Sequence, residues 1–116
     1  MAEDWSRPVV HWEIQARDAD KQAEFYSQMF NWDVKGERVK AFSAGIGAPE
    51  PITGHVLQTD KPGIVLYIQV LKLAESVARC QELGGGLLRE PFDTPGGQTV
   101  AWVSDPEGNR LVLVQQ

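Results

Sequence analysis

The chain has 116 residues, 42% of them hydrophobic and 23% charged, with 16 acidic against 11 basic side chains and a net charge of −5. That length suits one domain, able to bury roughly 60–70% of its extended surface without staples. The acidic balance argues against a nucleic-acid binder, which carries a basic footprint, and a single cysteine, Cys80, rules out an internal disulfide. The longest apolar stretch, Ile64 to Leu71, is interrupted by Gln69 and far too short to span a bilayer. With no apolar signal core near Met1, the expectation is a soluble cytoplasmic protein that meets neither nucleic acid nor membrane.

Residues 1–8 are polar and end in Pro8, so they read as a loose N-terminal arm whose anchor would be Trp5. Val9 to Ala16 then alternates strictly. Val10, Trp12, Ile14 and Ala16 fall on one side, and His11, Glu13 and Gln15 on the other, as in a half-buried strand. Asp18 is a good N-cap and Asp20 adds negative charge to the first turn. Apolar residues at Ala19, Ala23, Tyr26 and Phe30, with Phe25 and Met29 beside them, predict a helix over 19–30 whose Phe25-Tyr26 pair is core. Asn31 can end that helix. Strands are expected over 32–36, 39–46 and 54–59, with a break at Gly47 to Pro51 and a turn at Asp60 to Gly63.

Ile64 to Val70 is the best strand in the chain by β-branched and aromatic content. A second helix follows, with Leu73, Val77, Cys80 and Leu83 on one stripe, so Cys80 reads as a core thiol. Gly84-Gly85-Gly86 stops it. These glycines leave a helix rather than lead into one, so they are a turn and not a phosphate cradle. Strands follow over 87–92, 98–104 and 110–114. Asp105 to Asn109 is a hairpin turn in which Gly108 supplies a positive φ.

The order is strand, helix and three strands, twice. His11-Trp12-Glu13-Ile14-Gln15-Ala16 lies over Val65-Leu66-Tyr67-Ile68-Gln69-Val70, a repeat of about 54 residues that is too long for a solenoid unit. The fold class is therefore α+β, with two βαβββ modules over about 9–60 and 64–116. Each module alone would leave one sheet face uncovered, so pairing them makes a cup-shaped mixed sheet with the helices outside.

This pattern resembles the vicinal oxygen chelate superfamily, which includes glyoxalase I, bleomycin-resistance proteins and extradiol dioxygenases. The resemblance is carried by Val9 to Ile14, by Phe25-Tyr26 with Phe30-Asn31-Trp32, by Leu83-Gly84-Gly85, and by Asp105-Pro106-Glu107-Gly108-Asn109. It implies a homodimer and a site in the cup, with His11, Glu13 and Gln15 facing inward. Metal-dependent members take one ligand from each of four strands. His11 matches the first, His55 or Thr59 is a candidate for the second, and Val65 and Val112 stand at the third and fourth, where neither can bind an ion. A catalytic site wants at least three protein ligands.

No cofactor is therefore expected, and a divalent metal is the lesser reading. The leading expectation is a protein that binds a small organic molecule among His11, Glu13, Gln15, Tyr67, Gln69 and Arg110. Trp32 and Trp102 are candidate aromatic walls. The alternative is an enzyme of the superfamily, a lyase, isomerase or dioxygenase-like protein, in which His11 and Glu13 do acid–base work with or without a divalent ion.

Overall fold

Alternating residues fold as strands and 3.6-periodic residues as helices in both halves of the chain. The computed structural model describes residues 6–30, 32, 34–35, 39–42 and 52–116. They divide into two compact units, His11–Val65 and Leu66–Gln116 with the arm up to Val10. Each carries the βαβββ pattern, so the protein is α+β with a duplicated module.

The first module contains β1 (Val9–Ala16), α1 (Ala19–Phe30), β2 (Val34–Lys35), β3 (Val39–Phe42) and β4 (Thr53–Gln58). Its strands lie in the order β2-β3-β4-β1, with β1 parallel to β4 and the other pairs antiparallel. Trp5, Asn31 and residues 43–50 lie outside the described residues, and with them the rest of the strand expected to run to Ile46. Asp18 caps α1, its Oδ1 accepting from the Lys21 N–H at 3.0 Å. Ile14, Ala16 and Val56 pack with Ala19 beneath the helix, with Trp12 and Tyr26 against them.

The second module contains β5 (Gly63–Val70), α2 (Leu73–Glu82), β6 (Gly86–Asp93), β7 (Thr99–Ser104) and β8 (Arg110–Gln115). The order is β5-β8-β7-β6, again with the first and last strands parallel. Its core is Val70, Leu73, Val77, Ala101, Val103 and Leu113, with Cys80 packed against it. Gly84 takes a φ of 98° as the helix ends, and the Gly85 N–H closes the turn on Cys80 O at 2.9 Å. Among the described residues no helix is long and apolar enough to cross a membrane.

The duplication also shows in a feature the sequence did not announce. Each helix has its first N–H satisfied by a glutamine at the end of the module's last strand. Gln58 Oε1 accepts from Ala19 at 3.3 Å, and Gln115 Oε1 accepts from Leu73 at 2.7 Å. A free helical N–H needs such an acceptor. In the second module this is the side-chain cap, because Lys72 at the N-cap supplies none.

One expectation about the core is corrected. Phe25 is 55% exposed and Phe30 52%, and only Ala19 and Ala23 of α1 are buried. Trp12 already fills the space beneath the helix. The aromatics of α1 instead meet one another and Trp32: Tyr26 stacks on Trp32 with centroids 5.1 Å apart, and Trp32 meets Trp12 at 5.5 Å. Trp32 is thus part of the packing on the helix side and not a wall beside the polar side chains of β1.

Candidate functional site

The site is set by strand register. β1 and β4 run parallel with His11 opposite Thr53 and Glu13 opposite His55. Partners in register share a face, so these four side chains lie together, away from α1. A slip of one residue would turn them all to the wrong side. Trp12 opposes that slip. Its indole lies on Gly54, where an added Cβ would come within 2.0 Å of the ring, and its Nε1–H donates to Ile52 O at 3.2 Å. Glycine at 54 is therefore the space into which the tryptophan fits.

On the polar face the side chains form a continuous chain of hydrogen bonds running inward. The exposed Thr53 Oγ1 lies 2.8 Å from His11 Nδ1. His11 Nε2 lies 2.7 Å from His55 Nδ1. His55 Nε2 lies 2.7 Å from Glu13 Oε1. Gln15 Nε2 donates to Glu13 Oε2 at 2.6 Å. Exposure falls along the way, from the half-buried His11 to Glu13 at 1%.

With Glu13 ionised, these contacts fix the tautomers. The carboxylate accepts, so His55 carries its proton on Nε2 and leaves Nδ1 as an acceptor. His11 must then donate from Nε2, which leaves its Nδ1 to accept from the Thr53 hydroxyl. Along the Thr53–His11–His55 row the protons so assigned point toward Glu13. Burial pushes the pKa of His11 below its ordinary value, the neighbouring His55 pushes it the same way, and Glu13 offsets part of this. The neutral imidazole is the favoured form of His11 at neutral pH. Gln15 Oε1 is the buried side-chain polar atom without a partner among the described residues.

As placed, the donors of this row do not converge on one point where three of them could share an ion. Two ligands of one ion stand at most about 4 Å apart, twice a metal–nitrogen bond. Here a whole imidazole, with a hydrogen bond at each of its nitrogens, stands between His11 Nε2 and Glu13 Oε1. Val65 and Val112 are fully buried hydrocarbons. Among the described residues no group of three His, Cys, Asp or Glu side chains is placed to hold an ion.

Of the residues singled out in the sequence, His11, Glu13 and Gln15 lie side by side on β1, and His55 joins them from β4. Tyr67, Gln69 and Arg110 belong to the second module. Tyr67 and Gln69 are half-buried on β5 opposite Val112 and Val114, and Arg110 opens β8 opposite Ser104. Trp102 is half-buried on β7, also opposite Val112. Sequence reasoning missed Thr53 entirely and treated His55 only as a metal candidate. The available signal was the alternation Thr53, His55, Leu57 against Gly54, Val56, Gln58. Its pairing partner on β1 could not be read from it.

Fold and site together define a duplicated βαβββ protein with a hydrogen-bonded row of polar side chains across the first and last strands of its first module. Residues 11–114 match the model of the glyoxalase-like domain. The chain belongs to that family, within the vicinal oxygen chelate superfamily. It is 27% identical to the lactoylglutathione lyase GLX1 of Arabidopsis thaliana, over 96% of this chain, but spans only 45% of that protein. It is 28% identical to a probable lactoylglutathione lyase of Vibrio cholerae, over 92% of this chain and 89% of the relative. The manganese-bound glyoxalase of Novosphingobium aromaticivorans superposes with a TM-score of 0.71 at 21% identity, over 96% of this chain and 40% of the other. The methylmalonyl-CoA epimerase of Mycobacterium tuberculosis does so with a TM-score of 0.63 at 16% identity, covering 99% and 95%.

Proposed function

We propose that this domain binds a small organic molecule carrying an acidic C–H beside a carbonyl, and moves a proton on it at the outer end of the Thr53–His11 pair. The observation that carries this reading is the unbroken chain from Thr53 through His11 and His55 to Glu13. A histidine kept neutral near pH 7 is a base, and general acid–base catalysis by a positioned imidazole contributes about 10²–10⁴-fold. The relatives support the same chemistry. They include proteins named as lyases, and a fold neighbour named as an epimerase, and inverting the centre of methylmalonyl-CoA requires its α-proton to leave and return. The second reading, binding without reaction, draws on the exposure of Thr53 and the half-burial of His11, which give a ligand access to the row.

Deuterium uptake from heavy water tests this. A panel of 2-hydroxy and 2-oxo carbonyl compounds, hemithioacetals and acyl thioesters is incubated with the protein and the α-position followed by NMR. Exchange in at least one class, lost about 100-fold in a folded His11→Ala variant, is the expected result. Compounds that raise the melting temperature without exchanging would favour simple binding. A ligand at 100 times its Kd adds about 2.7 kcal/mol, enough to detect.

A further inference from the structure

Resting on that acid–base reading, we infer that Thr53, His11, His55 and Glu13 form an ordered, reversible proton relay in which the charge comes to rest on His55, and that this relay stands in place of a metal chelate. The inference starts from polarity. All the donors in the resting row point inward, so the face offered by Thr53 Oγ1 is an acceptor. A proton arriving there has one ordered path.

The step balances as follows. The substrate C–H bond breaks and its electron pair stays on carbon. The proton bonds to Thr53 Oγ1 as that hydroxyl's own proton passes to His11 Nδ1. The Nε2 proton of His11 passes in turn to His55 Nδ1. Thr53 and His11 end neutral, His11 in its opposite tautomer. His55 ends as an imidazolium whose Nε2–H faces the Glu13 carboxylate at 2.7 Å. Reversal returns a proton to carbon. Nothing outside the row is consumed.

Geometry and burial explain why the charge moves on rather than staying on His11. A cation in a partly dry site is favoured where a carboxylate touches it. Glu13 Oε1 lies 2.7 Å from His55 Nε2, and the His55 ring in turn meets His11 Nε2 through its other nitrogen. Gln15 holds the second carboxylate oxygen, which keeps Oε1 aimed at His55. His55 and Gln15 are therefore positioning residues. The same interposed ring that carries the proton keeps His11 Nε2 and Glu13 Oε1 from sharing an ion.

The chain contains two histidines, so selective ¹⁵N labelling of histidine gives spectra with only two imidazoles to assign. At neutral pH both rings are expected as Nε2–H tautomers. On uptake of one proton per chain, His55 should become the imidazolium while His11 switches to the Nδ1–H tautomer and stays neutral. In a folded Glu13→Gln variant that switch should vanish, and exchange should fall at least tenfold. Independent titration of the two rings, or an imidazolium at His11 first, would overturn the relay. So would a tautomer switch that survives Glu13→Gln. Exchange activity with independently titrating rings would leave the acid–base reading intact with His11 acting alone. The tautomer switch without exchange in any compound would leave the relay intact and remove the proposed reaction.

Discussion

The two modules share one fold and differ in what they place on one strand face. In the first, His11, Glu13 and Gln15 on β1 meet Thr53 and His55 on β4. In the second, Tyr67 and Gln69 on β5 meet Val112 and Val114 on β8. The helix-covered faces are alike, down to the glutamine that satisfies the first helical N–H. Alternation and a capped helix are thus enough to specify the module, whatever stands on the other face. Glu13 and Val112, at 1% and 0% exposure, are equally dry. One is held by hydrogen bonds and the other by packing, so exchanging their chemistry should cost stability in both directions.

The largest effect is expected from forcing the first module's chemistry onto the second. Val112→His overfills a packed position and buries a ring without its partners, and should lower unfolding free energy by about 4 kcal/mol. Urea denaturation reads this. Removing the carboxylate in Glu13→Ala strands the donors of His55 and Gln15 and should cost about 3 kcal/mol. Gly54→Ala places a methyl against the Trp12 ring. We expect a loss of about 2 kcal/mol from overpacking, accompanied by a changed near-ultraviolet tryptophan signal if Trp12 is what holds the register.

The smallest effect is in pH dependence. The pKa of His11 is lower in the folded state, while the unfolded imidazole keeps a value of about 6.5. The unfolded chain therefore takes up its proton first as pH falls. The contribution of His11 to stability is complete above about 6.5 and is lost as pH drops through that value toward the folded pKa. The denaturation midpoint should fall between pH 7.5 and 5.5, and His11→Gln should flatten that slope. An unchanged slope in the variant would mean that His11 does not contribute to this pH dependence.

Much of the fold was legible in the sequence because it rests on local periodicity. The strict alternation of Val9 to Ala16 and the caps at Asp18 and Gly84 needed no knowledge of partners. The helix over 19–30 was legible for the same reason. The fate of Phe25 was not, because the stripe says which residues share a side and not what already occupies the space below them. Trp12 and Gly54 decide that, from different strands. The site divided the same way. His11, Glu13 and Gln15 share a strand and could be named together. His55 and Thr53 reach them through a parallel pairing more than forty positions away, and no periodicity specifies that register.

The central question is whether the polar face of the first module conducts protons or chelates an ion. Elemental analysis of protein purified without chelator, compared with a folded His11→Ala variant, addresses this directly. A proton relay predicts far less than one manganese, iron, cobalt, nickel or zinc ion per chain in both proteins. One ion per chain in the wild type, lost on His11→Ala, would contradict it.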